Sequence, residues 1–202
     1  MGSKTGIGAR MIETACGLFI DPLDPDPAAF RLTDIGHALS LVCRFQGHTT
    51  RHYSVAEHSL LVADVLEEWG CDKRTILAGI MHDASEAYIA DLASPIKRDP
   101  TIGDAYRAIE DRIMSRLAER FGFDWPLPQE VHAADMLLLW CEAHVLMHSG
   151  GTTWGNYETE GKWRIEQNPL VCKWVHNGKL IWHHSEGLER EWVLRALNAG
   201  AL

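Results

Sequence analysis

Apolar residues recur at helical spacing through most of the chain. The first clear run starts near Thr33, where Ile35, Leu39, Val42 and Cys43 share one side, and it extends to about Phe45. Ahead of it, Cys16 to Phe30 places Pro22, Pro25 and Pro27 among acidic residues, which predicts an irregular, extended lead-in. Gly47 to Arg51 is a polar break. Ser54 with Glu57 three residues on is a capping box, and it opens a helix through Leu60, Leu61, Val65 and Leu66 that should stop at Gly70. Asp72 can cap a third helix through Ile76, Leu77 and Ile80 to the pair His82-Asp83. Glu86 to Lys97 is a broken segment ended by Pro95 and Pro100, followed by two long helices over about Ile102 to Phe121 and Glu130 to Met147. Beyond His148 the glycines Gly150, Gly151, Gly155 and Gly161 predict a flexible loop. Val171 to His183 alternates around Asn177-Gly178, a hairpin signal, and Leu188 to Leu197 closes as a short amphipathic helix. The expectation is an all-α bundle with a small C-terminal β-hairpin, as one domain over residues 1–202.

Composition narrows the function. At 202 residues and 46% hydrophobic, the chain can bury one core. A net charge of -9 argues against holding nucleic acid on a broad basic surface, yet it leaves room for a nucleotide whose phosphates a divalent cation and a few local Lys or Arg neutralise. No apolar run reaches membrane-spanning length and the N-terminal residues lack a signal-peptide pattern, so the expected partners exclude a membrane and the expected location is cytoplasmic. The five cysteines are scattered without a CxxC pair, as in reduced, mostly buried thiols. Seven of the eight tryptophans lie in the second half, where core and interface packing is their simplest use.

Against this background a few polar residues stand out. A His-Asp dipeptide is near what chance supplies, but His82-Asp83 ends an otherwise apolar helix, with Glu86 four residues after His82 and Asp91 beyond. His58 lies in the first turn of the capped helix. Asp135 interrupts the apolar stretch Ala133 to Leu138, where an unpaired carboxylate would be expensive and so needs a cation, a metal or a donor such as Arg44. Two imidazoles and two carboxylates make a mixed nitrogen and oxygen set that suits zinc, manganese, iron or cobalt better than calcium. His144 and His148 are spaced i, i+4 without the glutamate of HExxH, and read as a helix-surface pair, while His183-His184 reads as a polar strand end. The chain contains no Walker A loop, GxGxxG or GxSxG, which removes the common kinase, dehydrogenase and esterase readings.

The segments Ala38-Leu39-Ser40-Leu41-Val42-Cys43-Arg44-Phe45, Ser54-Val55-Ala56-Glu57-His58-Ser59, His82-Asp83-Ala84-Ser85-Glu86-Ala87-Tyr88, Asp91-Leu92 with Pro95-Ile96-Lys97, and Ala134-Asp135 together resemble the HD-domain phosphohydrolases. The resemblance covers about residues 33–147. It is closest to the branch holding bacterial 5′-deoxynucleotidases and phage-type triphosphate hydrolases of dATP. It implies a helical HD-domain bundle with His58, His82, Asp83 and Asp135 as metal ligands. Glu86 would handle the attacking water, and Asp91 would assist at the sugar or leaving group. Arg44, Phe45 and Lys97 would contact the nucleotide. Ile12-Glu13-Thr14 with Gly17 and Pro22, and Ile35 to Ser40 with Arg44-Phe45, look more like the triphosphate hydrolases, in which case Lys97 and His132 would add positive charge at the phosphates. The implied cofactor is a divalent cation (zinc, cobalt or manganese), with a second magnesium or cobalt arriving with the substrate. The implied partners are a small nucleotide and further copies of the chain. Three alternatives stay open: a 5′-monophosphatase, a nucleotide-binding regulator without turnover, and an RNA or cyclic-nucleotide phosphodiesterase, which the acidic balance disfavours for long RNA. The deoxynucleotidases carry Trp where this chain has Phe45, and the region from His148 onward has no counterpart, which leaves it a dimer interface or a lid.

Overall fold

The computed structural model describes residues 10–177 and 185–201, and these are mostly helical. A two-stranded antiparallel pair, β1 (Ile12–Glu13) and β2 (Phe19–Ile20), opens the described chain. The helices are α1 (Leu32–Leu41), α2 (Val55–Glu68), α3 (Lys73–Met81), α4 (Glu86–Ile89), α5 (Ser94–Lys97), α6 (Gly103–Phe121), α7 (Gln129–Leu146), α8 (Lys162–Gln167), α9 (Pro169–Asn177) and α10 (Ser185–Ala199). The only sheet among the described residues is therefore N-terminal, with β2 inside the expected irregular lead-in and β1 just ahead of it.

Helix α2 lies at the centre, with Val55 to Ala63, Val65 and Leu66 all buried. Helices α1, α3, α7 and α10 pack around it, and α9 lies against α7. Both caps read in the sequence form: Ser54 Oγ accepts from Glu57 N, and Asp72 Oδ1 accepts from Thr75 N. The Glu57 carboxylate does not turn back on Ser54 as a capping box requires. It takes both terminal nitrogens of Arg51 instead, at 2.9 and 2.6 Å. No helix among the described residues is long and apolar enough to cross a membrane.

Three expectations change. Helix α1 ends at Leu41 rather than near Phe45, because Val42 and Cys43 turn extended and pair with the chain ahead of α2. Arg44 N donates to Tyr53 O and Val55 N to Val42 O, both at 3.0 Å. The expected first hairpin strand is helix α9, since Val171 and Val175 are one turn apart and both buried. The remainder of that hairpin and His183-His184 lie outside the described residues. Finally, α7 stops at Leu146, so His144 and His148 do not share a helical turn. The glycine-rich segment after it lies against α7: a Cβ at Gly161 would sit 2.4 Å from the Trp140 ring, so only glycine permits this approach.

Candidate metal centre

His58 sits four residues after the Ser54 cap, fully buried on the face of α2 that looks towards the end of α3 and towards α7. His82 is the residue on which α3 terminates, and Asp83 follows it in the turn before α4. Asp135 is on the second turn of α7. These three places converge. His58 Nε2 is 3.1 Å from His82 Nε2, 3.1 Å from Asp135 Oδ1 and 3.8 Å from Asp83 Oδ2, while His82 Nε2 is 3.1 Å from Asp83 Oδ2. The group His58, His82 and Asp83 could hold a metal ion, with its ligand atoms all within 4.8 Å of one another.

The donor set fits a small divalent cation. His58 Nδ1 faces the Glu142 carboxylate at 2.5 Å and His82 Nδ1 faces the Gly79 carbonyl at 2.7 Å, both acceptors, so each ring places its proton there. Neutral rings then present two bare Nε2 lone pairs to each other and to two carboxylate oxygens. A cation or an extra proton must relieve that. Ligand atoms about 2.0–2.1 Å from one ion stand roughly 3 Å apart, as these do. Charge agrees: against the single guanidinium of Arg44, the carboxylates of Glu142, Asp83 and Asp135 leave two negative charges that one divalent ion balances. Burial alone would push the Asp83 carboxyl up, but His82, His58 and Arg44 hold it far below the usual carboxylate range. Asp135 is likewise held down against its burial, by the hydrogen bond and charge of His58. Burial and Arg44 work to lower His58, yet Glu142 and Asp135 prevail and raise it to about 9 without a cation present.

Glu142 was not singled out from the sequence. It is completely buried, and its Oε1 accepts from Tyr53 Oη at 2.7 Å besides facing His58, while its Oε2 accepts from Arg44 Nε at 3.1 Å. Arg44 Nη1 reaches on to Asp83 Oδ2 at 3.3 Å. Glu142 thus orients the ring of one candidate ligand and anchors the guanidinium that braces another. The signal was available: Glu142 stands two turns from Asp135 in the same apolar helix, so the argument that demanded a partner for Asp135 applied equally to it. Removing one member of a buried pair typically costs about 3–5 kcal/mol, and losing a ligand's orienting partner typically costs about 10–100-fold in metal affinity. Glu142→Ala is expected to show both, in denaturant unfolding and metal titration, and Glu142→Gln to recover part of each. Unchanged metal affinity in Glu142→Ala would show that His58 needs no such anchor.

The remaining sequence candidates divide. Glu86 is 3% exposed, its Oε2 has no hydrogen-bond partner, and Lys97 Nζ stands 3.9 Å from its Oε1. Burial, then the charges of Asp83 and Asp91, push its carboxyl well above the usual range. The helix does not run on from His82, but the turn Glu86 N to Asp83 O (3.0 Å) keeps Glu86 beside the cluster. Burial raises Asp91 too. Lys97 also pairs with Glu110 at 3.1 Å. Phe45 follows Arg44, whose guanidinium lies over its ring, and packs beside Trp154 of the glycine-rich segment at 6.2 Å between centroids. Trp154 in turn meets Trp140 at 5.6 Å, so a half-exposed aromatic wall begins one residue from Arg44. Phe45, Gln46 and Ala90 are the non-glycine residues with positive φ among those described, and Gln46 Nε2 donates to Asp91 O, joining the two strained bends at the rim. His132 is exposed one turn before Asp135, and no hydrogen bond or ion pair ties it to the cluster among the described residues.

No family model matches the chain. It is similar to an uncharacterized protein of Rhodobacter capsulatus, 38% identical over 122 residues, which are 58% of this chain and 61% of that protein. It is also similar to the uncharacterized protein YfdR of Escherichia coli, 32% identical over 123 residues, 61% of this chain and 65% of that protein. The chain thus spans less than two thirds of the length of either relative.

Proposed function

We propose that this chain is a metal-dependent phosphohydrolase of the HD-domain class. Within that class we propose a deoxynucleoside triphosphate substrate resembling dATP, cut at its 5′ oxygen to give deoxynucleoside and inorganic triphosphate. The observation that carries the reading is the meeting of His58, His82, Asp83 and Asp135 through atoms about 3 Å apart, with both Nδ1 atoms anchored from behind. A bound divalent ion supplies an acidified water and a polarised phosphoryl oxygen at such a site. The protein supplies the rest. Glu86, made more basic by burial and by its acidic neighbours, accepts the proton of the attacking water. Asp91 lies on the sugar and leaving-group side. Arg44 and Lys97 face the phosphates, and the Phe45–Trp154 wall offers the base an aromatic surface. A buried glutamate with one carboxylate oxygen unpartnered beside the cluster favours turnover over simple binding, since a binder gains nothing from its cost. A second divalent ion arriving with the phosphates, a role for His132 at the triphosphate tail and assembly of further copies belong to the same proposal.

The test is a screen of all deoxynucleoside mono- and triphosphates with several divalent metals, reading phosphate, pyrophosphate and triphosphate separately. Lys97→Ala should weaken triphosphate turnover much more than monophosphate turnover. Monophosphates cleaved far faster than every triphosphate would replace this reading with a 5′-deoxynucleotidase. Metal and nucleotide bound without turnover of any substrate would leave a regulator.

A further inference from the structure

Of the five cysteines, Cys141 and Cys172 have their sulfurs 3.0 Å apart, closer than unbonded sulfur atoms ordinarily rest. Cys141 is buried on α7, while Cys172 is partly exposed on α9. The pair has no part in the proposed hydrolysis, yet it lies directly behind the metal centre. Cys141 precedes Glu142, and one turn after Cys172 the carbonyl of Val175 accepts from Arg51 Nη2 at 3.1 Å. From this contact we infer that Cys141 and Cys172 are an oxidation site, a dithiol that closes to a disulfide on meeting a low-molecular-weight disulfide and fastens α9 to α7.

The two sulfurs have different roles because their exposures differ. Cys172 is the one that solvent reaches. The hydrogen bond between the two sulfurs lowers the Cys172 thiol and raises that of Cys141, so the accessible sulfur is also the better thiolate. The Cys172 thiolate attacks one sulfur of the small disulfide, forming a mixed disulfide and releasing the first small thiolate. Cys141 then gives up its proton and its sulfur attacks Cys172 Sγ, forming the protein disulfide and releasing the second. The protein loses two electrons and two thiol protons, and the small disulfide is reduced to two thiols. Among the described residues Cys16, Cys43 and Cys71 meet no second sulfur: Cys16 is exposed and its Sγ faces Thr33 Oγ1 at 3.6 Å, that of Cys43 faces a backbone carbonyl, and Cys71 is partly exposed.

The experiment treats the full chain with oxidised glutathione, followed by peptide mapping under non-reducing conditions and thermal unfolding. The expected map links the Cys141 and Cys172 peptides and no others. Cys141→Ser should stop at a glutathione adduct on Cys172, and Cys172→Ser should leave Cys141 unmodified. A loop of this length predicts a melting temperature about 10 °C higher for oxidised than for reduced protein, a shift reversed by dithiothreitol and absent from both variants. Free thiols at both positions after oxidation, a glutathione adduct that persists on Cys172 in the unsubstituted protein, or a crosslink through another cysteine would each overturn the inference. None of these readouts depends on the protein being a hydrolase.

Discussion

His82→Ala is expected to lose the bound metal and all detectable hydrolysis. Of the proposed ligands, His82 is the one held by its own helix: its ring caps the end of α3 through the Gly79 carbonyl, leaving Nε2 as the atom that faces His58 and Asp83. Alanine removes one corner of the set and leaves the opposed carboxylates with less to balance them. Elemental analysis of purified protein checks the metal, and a thermal scan with added cation checks it independently. A cation at 100 times its dissociation constant stabilises by about 2.7 kcal/mol, roughly 5–10 °C for a chain of this size, and His82→Ala should not respond. His144→Ala, on the exposed end of α7, should keep full metal and respond like the unsubstituted protein. A full complement of metal in His82→Ala would sink the assignment of the centre.

Glu86→Gln should separate chemistry from both binding and stability. It is expected to keep the metal and bind nucleotide while turnover falls about 10²–10⁴-fold, the usual loss when general acid–base help is removed. Loss of metal instead would make Glu86 a ligand. The same substitution carries a pH signature. Glu86 in the folded chain holds its proton to higher pH than the ordinary 4.5 of an unfolded glutamate. Between those two values the folded state binds more protons than the unfolded one, so Glu86 makes stability fall as pH rises through that window. Glutamine cannot titrate. Metal-free Glu86→Gln should therefore gain stability relative to unsubstituted protein as pH climbs from about 4 to neutrality, read as the difference between their denaturant midpoints. A difference that stays constant with pH would show that Glu86 titrates normally.

The two expectations run in opposite directions, which makes them informative together. A residue retained only for packing would not cost turnover when replaced by an isostere, and one that merely paired with Lys97 would lose stability on neutralisation rather than gain it. A buried carboxyl that reduces stability and supports turnover is the pattern of a site where chemistry sets the residue.

What the sequence by itself determined here is what short-range physics controls. The Ser54 and Asp72 caps are side chains bonding to backbone three residues away, and Gly70 terminates α2 because its φ of +73° suits a residue without a Cβ. The long helices α6 and α7 end within a residue or two of their periodic patterns, and the apolar setting of Asp135 already demanded a partner. Tertiary structure decided the rest. Val42 and Cys43 continue a helical pattern, but pairing with the strand-like lead into α2 draws them out and thereby aims Arg44 at Asp83 and Glu142. Val171 and Val175 satisfy period 2 and the helical turn alike, and burial against α7 selects the helix. The apolar helix around Glu142 already demands a partner for it, but not which one: Tyr53, His58 and Arg44 are separated from it by more than eighty residues of chain, and only packing brings such groups within hydrogen-bonding reach.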